Sequence, residues 1–248
     1  KLWKDYGYTT YLCGTPEQRL SDSFAFVRKA FKSQKPKIVI LEADNFYIDS
    51  KLVDPIKNVA YEIFPVVEYH DRWKNLNNND FFRKVNYSWT EDMKGYEYST
   101  DVEPADDSEY MIYSEDEEPI EKLNVLFIKL INEYCKKNNA ELIIVCAPQI
   151  EDWSYAKHNA VSKLVEQENI KFIDMNLTEE VDIDWDTETS DEGVHVNYKG
   201  GKKTTKYLGE YLSKLNILED HRNDEKYDSW NNALKRFKKL TDDDNQGI

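Results

Sequence analysis

Four short apolar runs, at residues 10–13, 38–41, 142–147 and 172–175, constrain this chain more than any other feature. Each is bounded by Gly, Pro, Asn or charge, which reads as a buried strand. Between them, at about residues 20–33, 120–138, 155–168 and 201–215, apolar residues recur every three or four positions, the spacing of amphipathic helices. Parallel strands need a long crossover, usually a helix, so this alternation predicts an α/β chain with a doubly wound parallel sheet. Ser21 to Ser23 ahead of Phe24 read as a helix start, and Pro36 with its flanking lysines punctuates the return into the second strand. Such sheets bind ligands outside the carboxyl ends of their strands, here Gly14-Thr15, residues 42–45, Pro148-Gln149 and the segment after Asn176.

The pattern breaks between about residues 49 and 119, a stretch too long for an ordinary connection and read as an insertion. Its first part carries Tyr69-His70-Asp71-Arg72-Trp73-Lys74, whose polar groups either meet a ligand or form an ion cluster around Trp73. Residues 101–121 are dominated by like charges and are expected to be a solvated surface loop. Residues 1–220 therefore read as one α/β domain with a large insertion, and 221–248 as a terminal helix and tail. In that helix Trp230, Leu234 and Phe237 share a face.

Composition removes several classes of function. The 248 residues, 40% hydrophobic, can bury a sizeable core, but 48 acidic against 33 basic side chains leave a net charge of −15. That charge opposes the counterion-release attraction behind nucleic-acid binding, so no nucleic-acid partner is expected, and it equally opposes docking on anionic lipid. Three cysteines cannot all pair, and Cys13 and Cys146, both inside apolar runs, read as buried apolar side chains. No run of about 18 apolar residues is present in the sequence. The chain opens at Lys1-Leu2-Trp3 without a methionine, and residues preceding it are expected. His70, His158, His195 and His221 have no spacing that would make a metal site, and no metal or cofactor is expected.

The most informative motif lies near the end: Glu192-Gly193-Val194-His195-Val196-Asn197-Tyr198-Lys199-Gly200, an acid and a histidine at the mouth of a helix. A carboxylate beside a histidine fixes its tautomer and orientation and makes it a general base. Ser21 and Ser23 sit in no turn resembling a nucleophile elbow, and Cys146 lies within its run, so this stretch of sequence offers no evident nucleophile.

Taken in order, Leu2-Trp3 to Tyr6-Gly7, Gly14-Thr15-Pro16-Glu17-Gln18, Lys35-Pro36-Lys37 leading into residues 38–42, His70-Asp71-Arg72-Trp73, Lys94-Gly95-Tyr96, the His195 block and Lys203-Thr204 with Tyr207-Leu208-Gly209 resemble the SGNH (GDSL-type) hydrolase superfamily. More narrowly they resemble its surface-associated DltD-like and alginate-acetyltransferase-like branch, over residues 2 to about 215. The resemblance implies a three-layer, flavodoxin-like α/β fold and ester hydrolysis or acyl transfer through an acyl-enzyme. It makes His195 the base, with Glu192 or Asp191 as its acid partner; the family's usual residue is Asp three positions before the histidine, where this chain has Glu192. Gly14 and Asn45 would be the oxyanion donors, although the Gly expected before Asn45 is Ala43 or Asp44. His70, Arg72 and Trp73 would contact substrate, Arg72 as a bidentate ligand for a carboxylate or phosphate. The serine nucleophile is expected upstream of Lys1, with a membrane anchor that would put the domain at the cell surface. The implied partners are an acylated carbohydrate or cell-wall polymer and a membrane-bound acyltransferase. A non-catalytic glycan-binding or accessory module on the same scaffold is the alternative.

Overall fold

A computed structural model describes residues 1–49 and 93–245. Among these residues the chain is mixed α/β, with six helices and one three-stranded parallel sheet. The strands, β1 (Ile38–Glu42), β2 (Glu141–Cys146) and β3 (Lys171–Asp174), lie in that spatial order, with Ile38 opposite Glu141 and Ile144 opposite Phe172. The helices are α1 (Leu2–Tyr6), α2 (Leu20–Ser33), α3 (Lys122–Lys137), α4 (Tyr155–Gln167), α5 (Tyr198–Leu215) and α6 (Asp228–Asn245).

β2 explains why helices cover both faces. It is apolar without alternation, so its odd and even side chains both need a cover. Leu142, Ile144 and Cys146 enter a core with Phe24 of α2, Phe127, Ile128 and Ile131 of α3 and Val161 and Leu164 of α4. Ile143 and Val145 enter a second core with Leu2 of α1 and Leu212 of α5. α2 begins at Arg19, whose backbone N–H is accepted by the Asp22 carboxylate, while Ser21 and Ser23 are buried in its first turn. α6 docks its Trp230 against Trp3, with ring centres 5.4 Å apart.

The first apolar run departs from expectation. Residues 10–13 form no strand; Tyr11 and Leu12 are 53% and 58% exposed, and Cys13 is exposed too. The Leu12 N–H is taken by the Lys94 carbonyl at 2.9 Å. An apolar run becomes a strand only where a neighbouring backbone completes its ladder, and none does so here among the described residues. Among the described residues β1 pairs with no strand other than β2, and its Ile40 is 40% exposed.

Candidate functional site at the carboxyl end of the sheet

The ladder runs one residue beyond β1, through Ala43 N–H to the Val145 carbonyl at 2.8 Å, and then breaks into a single 3₁₀ turn, Asp44–Tyr47. Phe46 in this turn is fully buried. Asn124 of α3, also buried, donates from Nδ2 to the Phe46 carbonyl at 2.8 Å and the Ile48 carbonyl at 2.9 Å. The turn carrying Asn45 is thus fixed from below. The Asn45 side-chain amide has no hydrogen bond to any described residue.

His195 sits on a tight loop between Thr189 and α5. The loop is closed by an isolated bridge from Thr189 to Val196 and by the Thr189 hydroxyl, which donates to the His195 carbonyl at 3.1 Å and accepts the Gly193 N–H at 2.9 Å. Gly193 has φ +98°, and a Cβ there would lie 3.0 Å from the Cβ atoms of both Ala105 and Ile150, so only glycine fits without displacement. Asp191 grips the histidine twice, accepting its backbone N–H at 2.6 Å through Oδ1 and lying 2.5 Å from its Nδ1 through Oδ2. Of the two candidate acids, the geometry selects Asp191. Glu192, in the left-handed region at φ +55°, gives its backbone N–H to the Glu103 carbonyl and has no side-chain bond to His195. The Nε2 of His195 meets no described hydrogen-bond partner, and the ring is largely exposed. The Asn197 that follows is architectural: its Oδ1 caps α5 by accepting Lys199 and Gly200 N–H groups, while Nδ2 donates to the Asp101 and Thr187 carbonyls.

Carboxylates crowd this end of the sheet. Burial, followed by the neighbouring Asp44 charge, pushes Glu42 up to about 8, even though Ala147 N–H is donated to it at 2.8 Å. Burial also raises Asp44, the Asp152 charge adds to this, and the charge of His195 is close enough to pull the other way. Cys146 is held well above its usual range, first by burial and then by Glu42 and Asp174, so its thiol is inert as a nucleophile.

Residues 101–118 are mostly exposed, yet they are tied down as a strap. Glu103 N–H goes to the Thr189 carbonyl and Ala105 N–H to the Trp185 carbonyl. The Tyr110 hydroxyl donates to Asn176 Oδ1 at 2.9 Å, Asn159 of α4 holds the Ser114 and Asp116 carbonyls, and Glu118 N–H reaches the Ala156 carbonyl. Backbone and Asn contacts anchor the segment, and the Glu117 carboxylate adds an ion pair to Lys163 of α4 at 2.8 Å.

The structure therefore brings Asn45, Asp191 and His195 to one end of the sheet. Gly14 follows no strand; it lies in exposed, irregular chain whose hydrogen bonds run to Lys94 and Gln18, and a Cβ there would meet open space. His70, Arg72 and Trp73 lie outside the described residues. One pair escaped the sequence reading: His158 of α4, with Nδ1 2.7 Å from Asp174 Oδ2 at the end of β3 and Nε2 3.2 Å from Ser162 Oγ. His158 and Ser162 at i, i+4 within one helical pattern were its only signal. Ser162 lies inside α4, where helix hydrogen bonds occupy the backbone N–H groups, so no donors are left to receive an oxyanion. No group of three or more His, Cys, Asp or Glu among the described residues is arranged to hold a metal, and no described helix is long and apolar enough to cross a membrane. Comparison of the chain with protein-family models, with curated proteins and with solved structures gave no match.

Proposed function

We propose that this chain is the base-and-acid part of an SGNH-type serine esterase or O-acyltransferase, with a flavodoxin-like sheet and an acylated carbohydrate as substrate. One observation carries the reading: at the carboxyl end of a parallel sheet Asp191 holds His195 by both its backbone N–H and its Nδ1, and no described residue occupies Nε2. In that state Nε2 is the acceptor for a serine hydroxyl proton. Asp191 stabilises the imidazolium that forms, and the Asn45 amide supplies one hydrogen bond to the developing oxyanion. His195 then returns the proton to the leaving alcohol, and water or a polymer hydroxyl resolves the acyl-enzyme by the same route in reverse. In this reading the serine is carried by polypeptide preceding Lys1, placed beside β1, which among the described residues pairs only with β2. The protein acts at the cell surface, alongside a membrane-bound acyltransferase. Turnover of an acetyl ester by the polypeptide extended upstream as its gene encodes tests the reading directly. Measurable release of acetate supports it, and a folded extended protein without turnover contradicts it. The accessory-module reading is favoured by one fact, that no described hydroxyl or thiol reaches His195 Nε2.

A further inference from the structure

We propose that Asn176, two residues beyond the end of β3, is a positioning residue for His195, an inference that rests on His195 being the base. One side-chain amide joins three segments. Its Oδ1 accepts Gln149 N–H at 3.0 Å and the Tyr110 hydroxyl at 2.9 Å. Its Nδ2 donates to Asp174 Oδ1 at 2.8 Å and to the Ala147 carbonyl at 3.1 Å, with Cys146 Sγ at 3.3 Å. Asp174 in turn accepts the Asn176 backbone N–H at 2.9 Å, which fixes the residue from both ends.

The two arms on Oδ1 lead to the two walls of the His195 loop. Next to Gln149, Ile150 gives its N–H to the Gly193 carbonyl at 2.8 Å. On the other arm, Tyr110 belongs to the strap segment whose Glu103 and Ala105 bond the stretch from Trp185 to Glu192. Gly193 is held between Ala105 and Ile150, two residues before the histidine. Asn176 therefore sets the spacing of both walls, and with it the direction in which Asp191 points the imidazole. Burial pushes the Tyr110 phenol up, which keeps its hydroxyl a donor over the working pH range. An amide is required here because the same side chain must accept on one side and donate on the other.

The test is long-range ¹H–¹⁵N NMR of the imidazoles in the 248-residue chain, which has four histidines. This readout needs no substrate, so loss of ester turnover with the imidazole result intact would sink the esterase reading alone. The wild-type ring is expected in the Nδ1–H tautomer set by Asp191. Asn176→Ala should move its ¹⁵N shifts to those of a tautomer mixture, and Tyr110→Phe, which removes one arm only, should move them part of the way. His158→Ala, which loosens β3 and α4 without touching either arm, should leave the His195 ring unchanged. Wild-type His195 shifts in Asn176→Ala would overturn the proposal. Should Asn176→Ala fail to fold, unchanged shifts in Tyr110→Phe would do the same, as would an equal displacement in His158→Ala.

Discussion

Among the described residues two histidine–aspartate pairs lie at one end of the sheet, and they differ in what surrounds them. His158 and Asp174 lie 2.7 Å apart on a helix and a strand end, with side chains 22% and 3% exposed. His195 and Asp191 lie 2.5 Å apart on one loop, 75% and 40% exposed. The first pair is saturated. Asp174 also accepts Trp153 Nε1 at 2.9 Å and the Asn176 amide, and His158 is flanked by Tyr155 and Phe172 with Ser162 on its Nε2. Every polar atom there has a partner inside the protein, so the pair braces α4 against β3. In the second pair no described residue bonds Nε2. A histidine–carboxylate distance does not identify a base; the atom opposite the carboxylate does.

Substitutions that separate the two pairs give the largest expected effects. In the upstream-extended protein, His195→Ala should lower ester turnover by at least about a thousand-fold, the scale of losing a triad base, whereas His158→Ala should change it by no more than about three-fold. Comparable losses in steady-state kinetics would erase the distinction. Asp191→Asn should cost about a hundred-fold or more and Glu192→Gln within about two-fold; the reverse ranking would transfer the acid role to Glu192. Stability should sort the opposite way. Asp174→Ala leaves Trp153, His158 and Asn176 donors without an acceptor and should cost roughly 3 kcal/mol in denaturant unfolding, while Asp191→Ala, on an exposed loop, should cost under about 1 kcal/mol. Gly193→Ala, at φ +98° and against Ala105 and Ile150, should lose about 1–2 kcal/mol.

A separate expectation is a slope with pH. Glu42 holds its proton in the folded chain up to about 8 but releases it near 4.5 when unfolded. The folded state therefore binds more protons across that window, and stability falls as pH rises through it, by at most about 1.4 kcal/mol per pH unit for one group. Glu42→Gln keeps an acceptor for Ala147 N–H and should flatten this part of the curve. An unchanged slope would place the titrating group elsewhere.

Periodicity was a sound guide wherever burial is dense. α2 spans residues 20–33 as the pattern predicts, and β2 and α4 differ from their predicted spans only at the ends. It failed at residues 10–13, because an apolar run specifies a strand only together with a backbone to pair with. The His195 block was legible because its spacing is local, and Asn197 and Gly200 reflect helix capping and close packing rather than chemistry. The choice of Asp191 over Glu192 was not legible, since it depends on left-handed backbone at Glu192 and Gly193 turning one acid toward the ring and the other away. Asn176 was invisible for a related reason. Its partners come from β2, β3 and the acidic strap, which sequence places far apart.

The central claim is that His195 activates a serine, and intact-mass analysis after treatment with a serine-directed fluorophosphonate tests it most directly. The upstream-extended protein should gain one adduct that disappears in His195→Ala and persists in His158→Ala. A folded extended protein that takes up no adduct, or one whose labelling depends on His158 instead, would contradict the account.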